Sequence, residues 1–244
     1  MKGILAFMKN KKYFISFLIV LLFLLGLYLF VLHKNSRRDL LSALDKNEVL
    51  IDYTIDETLA YTLINKNGDS LYGDFFVVFE KKNNTWHRAY ESDFTKIMPW
   101  KLEVADIDHD DYPEIMIAVK KATPYDKEIK NRMFIFNYLD NILSRKWTGS
   151  QIAGIWRDYY TMDLLSSPGH ELIFIEQTEE DMEKISVYSW FDFGFFRLAD
   201  SEAYLRIQKI SMVKDNLLEI TYIEEDKETN LLLSVVDGKL SPKE

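Results

Sequence analysis

The chain of 244 residues carries 39 acidic against 30 basic side chains, a formal charge of −9 and a pI near 5.1, and 48% of it is hydrophobic. That balance excludes a phosphate-binding, nucleic-acid surface, which needs a basic face. The absence of cysteine excludes disulfides, thiolate zinc sites and cysteine nucleophiles, and the length suits one sizeable core plus an appendage.

The appendage is the N-terminus. From 13 to 32 the sequence is uncharged and dominated by Leu, Phe, Ile and Val, with Ser16 too little to make a polar face. At about 1.5 Å per residue such a run spans the roughly 30 Å hydrocarbon core of a bilayer. It ends on the bulky residues Leu27 to Leu32 and offers no small-x-small cleavage motif, so a retained signal anchor is predicted. Lys2, Lys9, Lys11 and Lys12 precede the span, and Lys34, Arg37 and Arg38 follow it. The positive-inside rule then places residues 1–12 in the cytoplasm and the acidic remainder beyond the membrane. Residues 33–48 are polar with Leu40, Leu41 and Leu44 at helical spacing, which predicts a juxtamembrane helix or linker.

From 49 to 244 the signals are β. Four hairpins are predicted: 75–80 with 85–90, 133–139 with 142–147, 185–191 with 195–199, and 231–236 with 239–240. Their turns, Asn83-Asn84, Asp140-Asn141, Asp192-Phe193-Gly194 and Asp237-Gly238, are rich in residues that accept positive φ. A repeat underlies them. Residues 106–114 and the apolar run after them align with 163–171 and with 211–219, each stretch ending in Glu. Each copy reads as strand, nine-residue loop, strand and hairpin, and an opening unit of 49–91 lacks an alignable loop. Four-stranded units of this length are the blades of a β-propeller, so the expected fold is all-β, about four blades behind one transmembrane helix. A β-sandwich built from the same hairpins is the rival.

The chemistry concentrates in Asp106-Ile107-Asp108-His109-Asp110-Asp111-Tyr112-Pro113-Glu114. Carboxylates fall at positions 1, 3, 5 and 9, a spacing that suits a hard cation needing six to eight oxygens. The backbone carbonyl near Tyr112 can fill one vertex and Glu114 can close the site; the plainer alternative is an acidic turn with no metal. With the flanking Val104-Ala105 and Ile115, the stretch resembles the FG-GAP/VCBS repeat of integrin α-subunit propellers and bacterial surface proteins. That resemblance implies one structural Ca²⁺ held by Asp106, Asp108, Asp110 and Glu114, with the carbonyl of Tyr112 as a further ligand. Asp111 stands where the family has Gly, and His109 also falls at a position where Gly is common. Asp reaches a left-handed backbone more readily than most residues. The sister loops have lost the pattern: 163–171 keeps only Asp163 and Glu171, and 211–219 keeps Asp215 and Glu219 beside Lys214.

Two other stretches stand out. Glu176, Glu179, Glu180, Asp181 and Glu183 read as a solvated acidic turn. Trp190, Phe191, Phe193 and Phe195 form an aromatic hairpin suited to docking a protein or cell-envelope partner, with Trp156, Tyr159 and Tyr160 as possible neighbours on that surface. His87 reads as an ordinary strand-face residue. No nucleophile elbow, zinc signature or phosphate-cradling Gly loop is present, so no enzyme is expected. The alternative is a surface carbohydrate-binding module or hydrolase using paired carboxylates at the propeller centre.

Overall fold

The computed structural model describes residues 11–56, 58–66, 68, 71–148, 152, 154–165, 168–213 and 216–243, and side chains at 11–13 and 25–35 lie outside the description. Of the expected cytoplasmic segment, residues 1–10 lie outside it too. The chain divides into two compact units, Met1–Lys46 with Lys81–His87, and Asn47–Glu80 with Arg88–Glu244.

In the first unit, helix α1 (Lys11–Ser42) runs for 32 residues without a break. It therefore continues through most of the stretch expected as a juxtamembrane helix or linker. Nothing in 33–42 stops it: there is no Pro or Gly, and Arg37, Arg38, Leu40 and Leu41 are good helix formers. The described side chains of its apolar run, 14–24, are all exposed. Among the described residues no helix is long and apolar enough to cross a membrane.

The second unit is almost entirely β. Four antiparallel meanders follow one another along the chain. They are β1 (Val49–Asp56), β2 (Leu59–Asn65), β3 (Phe75–Lys82) and β4 (Thr85–Asp93); β5 (Pro99–Ala105), β6 (Glu114–Lys121), β7 (Lys130–Leu139) and β8 (Ile142–Thr148); β9 (Trp156–Met162), β10 (Glu171–Gln177), β11 (Glu183–Phe191) and β12 (Gly194–Tyr204); and β13 (Arg206–Val213), β14 (Leu217–Glu224), β15 (Lys227–Val236) and β16 (Lys239–Pro242). All four predicted hairpins are present. Asn83, Asn84, Asp140, Asn141, Asp192, Asp237 and Gly238 hold the positive φ those turns require.

The meanders form three sheets, not four. The first two stand as separate four-stranded sheets, while the third and fourth join into one of eight strands. The seam is a short parallel pairing of β12 with β16, Asp200 beside Lys239 and Ser201 beside Leu240.

Packing follows from the period of the strands. In β6, Ile115, Ile117 and Val119 pack with Tyr61, Leu63, Phe76 and Val78 of the first meander. The alternate residues Met116 and Ala118 turn the other way, onto Trp156, Tyr159, Leu172 and Phe174 of the third. Strand β10 repeats the division, with Ile173 and Ile175 meeting Ile207, Ile210, Leu218 and Ile220 of the fourth. A strand buried on both faces needs apolar residues at every position, which is why β6 and β10 read as unbroken hydrophobic runs. Each such Ile or Leu contributes roughly 1.5–3 kcal/mol by leaving water. The fourth meander shows the other limit. Lys209, Asn230 and Leu232 on its far face are exposed, and among the described residues no hydrophobic cluster ties that meander to the first.

The third expected loop is a correction. Ser211, Met212 and Val213 pair with Glu219, Leu218 and Leu217 as ladder residues. Three residues separate these strands, of which Lys214 and Asp215 lie outside the described residues. Alternating Ile207, Ile210, Leu218 and Ile220 fix the strand register here, so a resemblance in spacing to the acidic loop was misleading.

Candidate metal centre

The acidic loop joins β5 to β6. Asp106 shapes its first half: its carboxylate accepts hydrogen bonds from the backbone N–H of His109 at 2.6 Å and of Asp111 at 3.1 Å. Both of those residues are left-handed, with φ of 60° and 67°, the conformation that favours Gly at such positions. Asp110 turns aside to accept from the N–H of Tyr112 at 2.9 Å, and the Tyr112 side chain is exposed.

Glu114 closes the loop from within. It is fully buried, and its Oε2 accepts from the N–H of Ile107 at 3.0 Å. The next module repeats the device: Glu171, also fully buried, accepts from the N–H groups of Leu164 and Leu165 at 2.9 and 3.1 Å. Ile107 and Leu164, the second residues of their loops, are core residues. The glutamate at position 9 thus secures a buried backbone donor and holds an apolar side chain in the core. That role needs no metal, and it accounts for Glu171 in a loop whose one other carboxylate is Asp163. The two loops also touch. Gly169, at φ +86°, lies so close to the Ile107 carbonyl that an added Cβ would sit 2.7 Å from its oxygen.

Of the five residues expected to hold calcium, the structure brings three together. Carboxylate oxygens of Asp106, Asp108 and Glu114 lie within 4.8 Å of one another, and Asp110 is not part of that group. Oδ1 of Asp108 is buried without a hydrogen-bond partner, an orphaned acceptor suited to a cation. These three residues fit a hard cation.

A cation is already there. Lys146, on β8, donates from Nζ to Asp108 Oδ2 and to Glu114 Oε1, the latter at 2.5 Å. The same ammonium lies 5.3 Å from the centre of the Trp190 ring. Burial works against the charge on Lys146, but the two carboxylates outweigh it and raise its pKa. Glu114 responds differently. Burial raises its pKa and outweighs the pull of Lys146 and of the Ile107 N–H, with a smaller like-charge repulsion from Asp108 acting in the same direction as burial. The pair is therefore a firmly charged ammonium beside a carboxylate that ionises at a cost.

Sequence reading missed Lys146 because it lies 38 residues beyond Asp108 and its placement depends on a β-bulge. The β7–β8 register slips between Phe136–Arg145 and Ile135–Trp147, leaving Lys146 unpaired in the ladder. A bulge re-aims the side chain it carries.

The aromatic hairpin splits by strand alternation. Trp190 and Phe195 pair across the ladder and pack edge to face at 5.0 Å. Phe195 also meets Trp147, so this pair is committed to the packing between the second and third modules. Phe191 and Phe193 are 72% and 83% exposed, and Phe196, which sequence reading passed over as a contact residue, joins Phe191 edge to face at 6.1 Å. Trp156 and Tyr159 are buried and Tyr160 is half-buried, all three packed in the core clusters, so they add nothing to an outer surface. The acidic run also needs correction. Glu179, Glu180 and Asp181 are exposed, but Glu176 and Glu183 are buried. Glu183 accepts from Arg157 Nε and Nη2 and from the N–H of Ile207.

On the first strands of the modules, where an axial site was the alternative, carboxylates are engaged as ties between neighbouring meanders. Asp52 accepts from the Leu102 N–H at 2.8 Å, Asp158 from Lys101 at 2.8 Å, and Glu103 from Thr161 Oγ1 at 2.7 Å. Burial raises the pKa of both Asp52 and Glu103, against the pull of these donors.

No family model matches the chain, and no curated protein matches it. One solved structure from Bacteroides fragilis NCTC 9343, provisionally described as a 6-phosphogluconolactonase, is similar at a TM-score of 0.33 and 11% identity, over 79% of this chain and 72% of that one. Similarity at that level assigns neither a fold nor an activity.

Proposed function

We propose that this is a membrane-anchored binding protein. The run 13–32 of α1 crosses the bilayer with the N-terminus in the cytoplasm, and the β unit stands outside the cytoplasm as a set of FG-GAP/VCBS-type propeller blades. It binds a protein or cell-envelope component there, and one Ca²⁺ at Asp106, Asp108 and Glu114 strengthens the second blade. Support for the anchor comes from an uncharged run lying within a single 32-residue helix.

The observation that carries partner binding is the hairpin end itself. Phe191, Phe193 and Phe196 present aromatic surface to solvent at a turn, where polar residues are the rule. Aromatic anchors of this kind dominate binding energy at protein interfaces. The engaged state of the first-strand carboxylates favours binding over hydrolysis, since groups tied to protein donors are poorly placed to act as acid and base.

A photo-crosslinking residue at Phe193 in the membrane-embedded chain tests this reading. A discrete crosslinked partner is expected from position 193, and none from the same probe at Asn230 on the polar face of the fourth module. Equal, diffuse labelling from the two positions would contradict it.

A further inference from the structure

We propose that Lys146 is a tethered competitor of calcium: its ammonium and the metal exclude one another at Asp108 and Glu114. This rests on the calcium reading above and deepens it. The geometry is direct, since Nζ donates to both carboxylates and leaves only Oδ1 of Asp108 without a partner. A divalent ion needs those oxygens at bonding distance, and an ammonium beside it would add like-charge repulsion where its hydrogen bonds had been.

The internal repeat supplies independent support. In the third module the β11–β12 register slips between Tyr188–Arg197 and Val187–Ala199, leaving Leu198 unpaired in the ladder. Leu198 occupies the same bulge position as Lys146 in the second module. There it packs against the hydrophobic core, beside a loop in which Leu165 stands where Asp108 stands in the second module. Within one chain, then, the bulge carries a lysine where the loop is acidic and a leucine where the loop has lost that acid. The bulge residue follows the charge of the loop, as expected if Lys146 serves as its counterion.

Two consequences follow. Without metal, the ammonium keeps the acidic loop folded. With metal, the loop must first release it, and apparent affinity falls by the fraction of molecules in the open state. An ammonium-bound state populated at about 99% weakens calcium binding roughly 100-fold.

Calcium titration of the full chain in detergent, read by calorimetry and by thermal melting, compares the natural protein with Lys146→Met. The variant is expected to bind calcium roughly 100-fold more tightly. It should also melt below the natural protein in chelator and recover in calcium. The double variant Asp108→Leu, Lys146→Leu places the third module's residues at these two positions, and should fold with a melting temperature independent of calcium. If the natural protein and Lys146→Met bind calcium equally, the competition is refuted while the calcium reading stands. If neither binds at millimolar calcium, the calcium reading falls and the competition falls with it.

Discussion

Replacing Glu114 by alanine removes the only fully buried carboxylate of the acidic loop, together with two hydrogen bonds. The N–H of Ile107 is left in the interior without its acceptor, which costs about 1–3 kcal/mol. Lys146, with only 13% of its side chain exposed, keeps Asp108 as its single partner. Breaking a buried pair outright costs about 3–5 kcal/mol, and the surviving Asp108 contact argues for less than the lower figure. The sum is about 3–4 kcal/mol, which for a domain of roughly 200 residues lowers the melting temperature by about 6–16 °C. Glu171→Ala supplies the comparison, because it removes two backbone bonds at the equivalent position of the next module. Urea unfolding of both variants, and of Glu114→Ala combined with Lys146→Met, separates the contributions. Coupling between positions 114 and 146 of at least about 1 kcal/mol is expected. Independence of the two positions would refute the view that the ammonium is part of the loop.

Two further outcomes follow from the packing and the charges. Gly169→Ala combines a left-handed φ with a backbone oxygen at 2.7 Å from the new Cβ; the loss should be about 2–4 kcal/mol, checked by urea unfolding, against no measurable loss for Ala at Gly194, where nothing lies within 4 Å of an added Cβ. The pH dependence has a definite sign. Asp52 and Glu103 have folded pKa values raised by burial, so the native state holds their protons more tightly than the unfolded chain does. Their contribution to stability is fully present below the unfolded values, near pH 4, and is lost as pH rises through the folded ones. The double variant Asp52→Asn, Glu103→Gln should therefore lose less stability than the natural protein between pH 4 and pH 7, as read by chemical unfolding.

Much of the fold was legible because its signals are local. Pairs such as Asp140-Asn141 and Asp237-Gly238 mark turns through their own backbone preferences. The runs after Glu114 and Glu171 announce strands buried on both faces. What escaped depends on distant partners. Nothing near Glu183 distinguishes it from Glu179 or Glu180; its burial is set by Arg157 and Ile207 from other strands. Alternation divides Trp190 and Phe195 from Phe191 and Phe196, but the sheet that covers one face had to be seen before the exposed pair could be named. The apparent loop at 211–219 shares its spacing with the acidic loop, and only the ladder shows that 211–213 and 217–219 are paired strand residues. The loop's three clustered carboxylates were legible from spacing, whereas Lys146 was not, since a bulge leaves no mark in a single sequence.

The central claim is that a membrane anchor holds the β unit outside the cytoplasm. The chain has no cysteine, so a single introduced thiol reports its own side of the membrane. Met8→Cys and Glu228→Cys, each as the sole thiol, are to be treated in intact cells with a membrane-impermeant maleimide and then in lysed cells. Labelling of position 228 in intact cells, and of position 8 only after lysis, with both variants in the membrane fraction, is the predicted result. Labelling of position 228 only after lysis, or recovery of the chain in the soluble fraction, would contradict it.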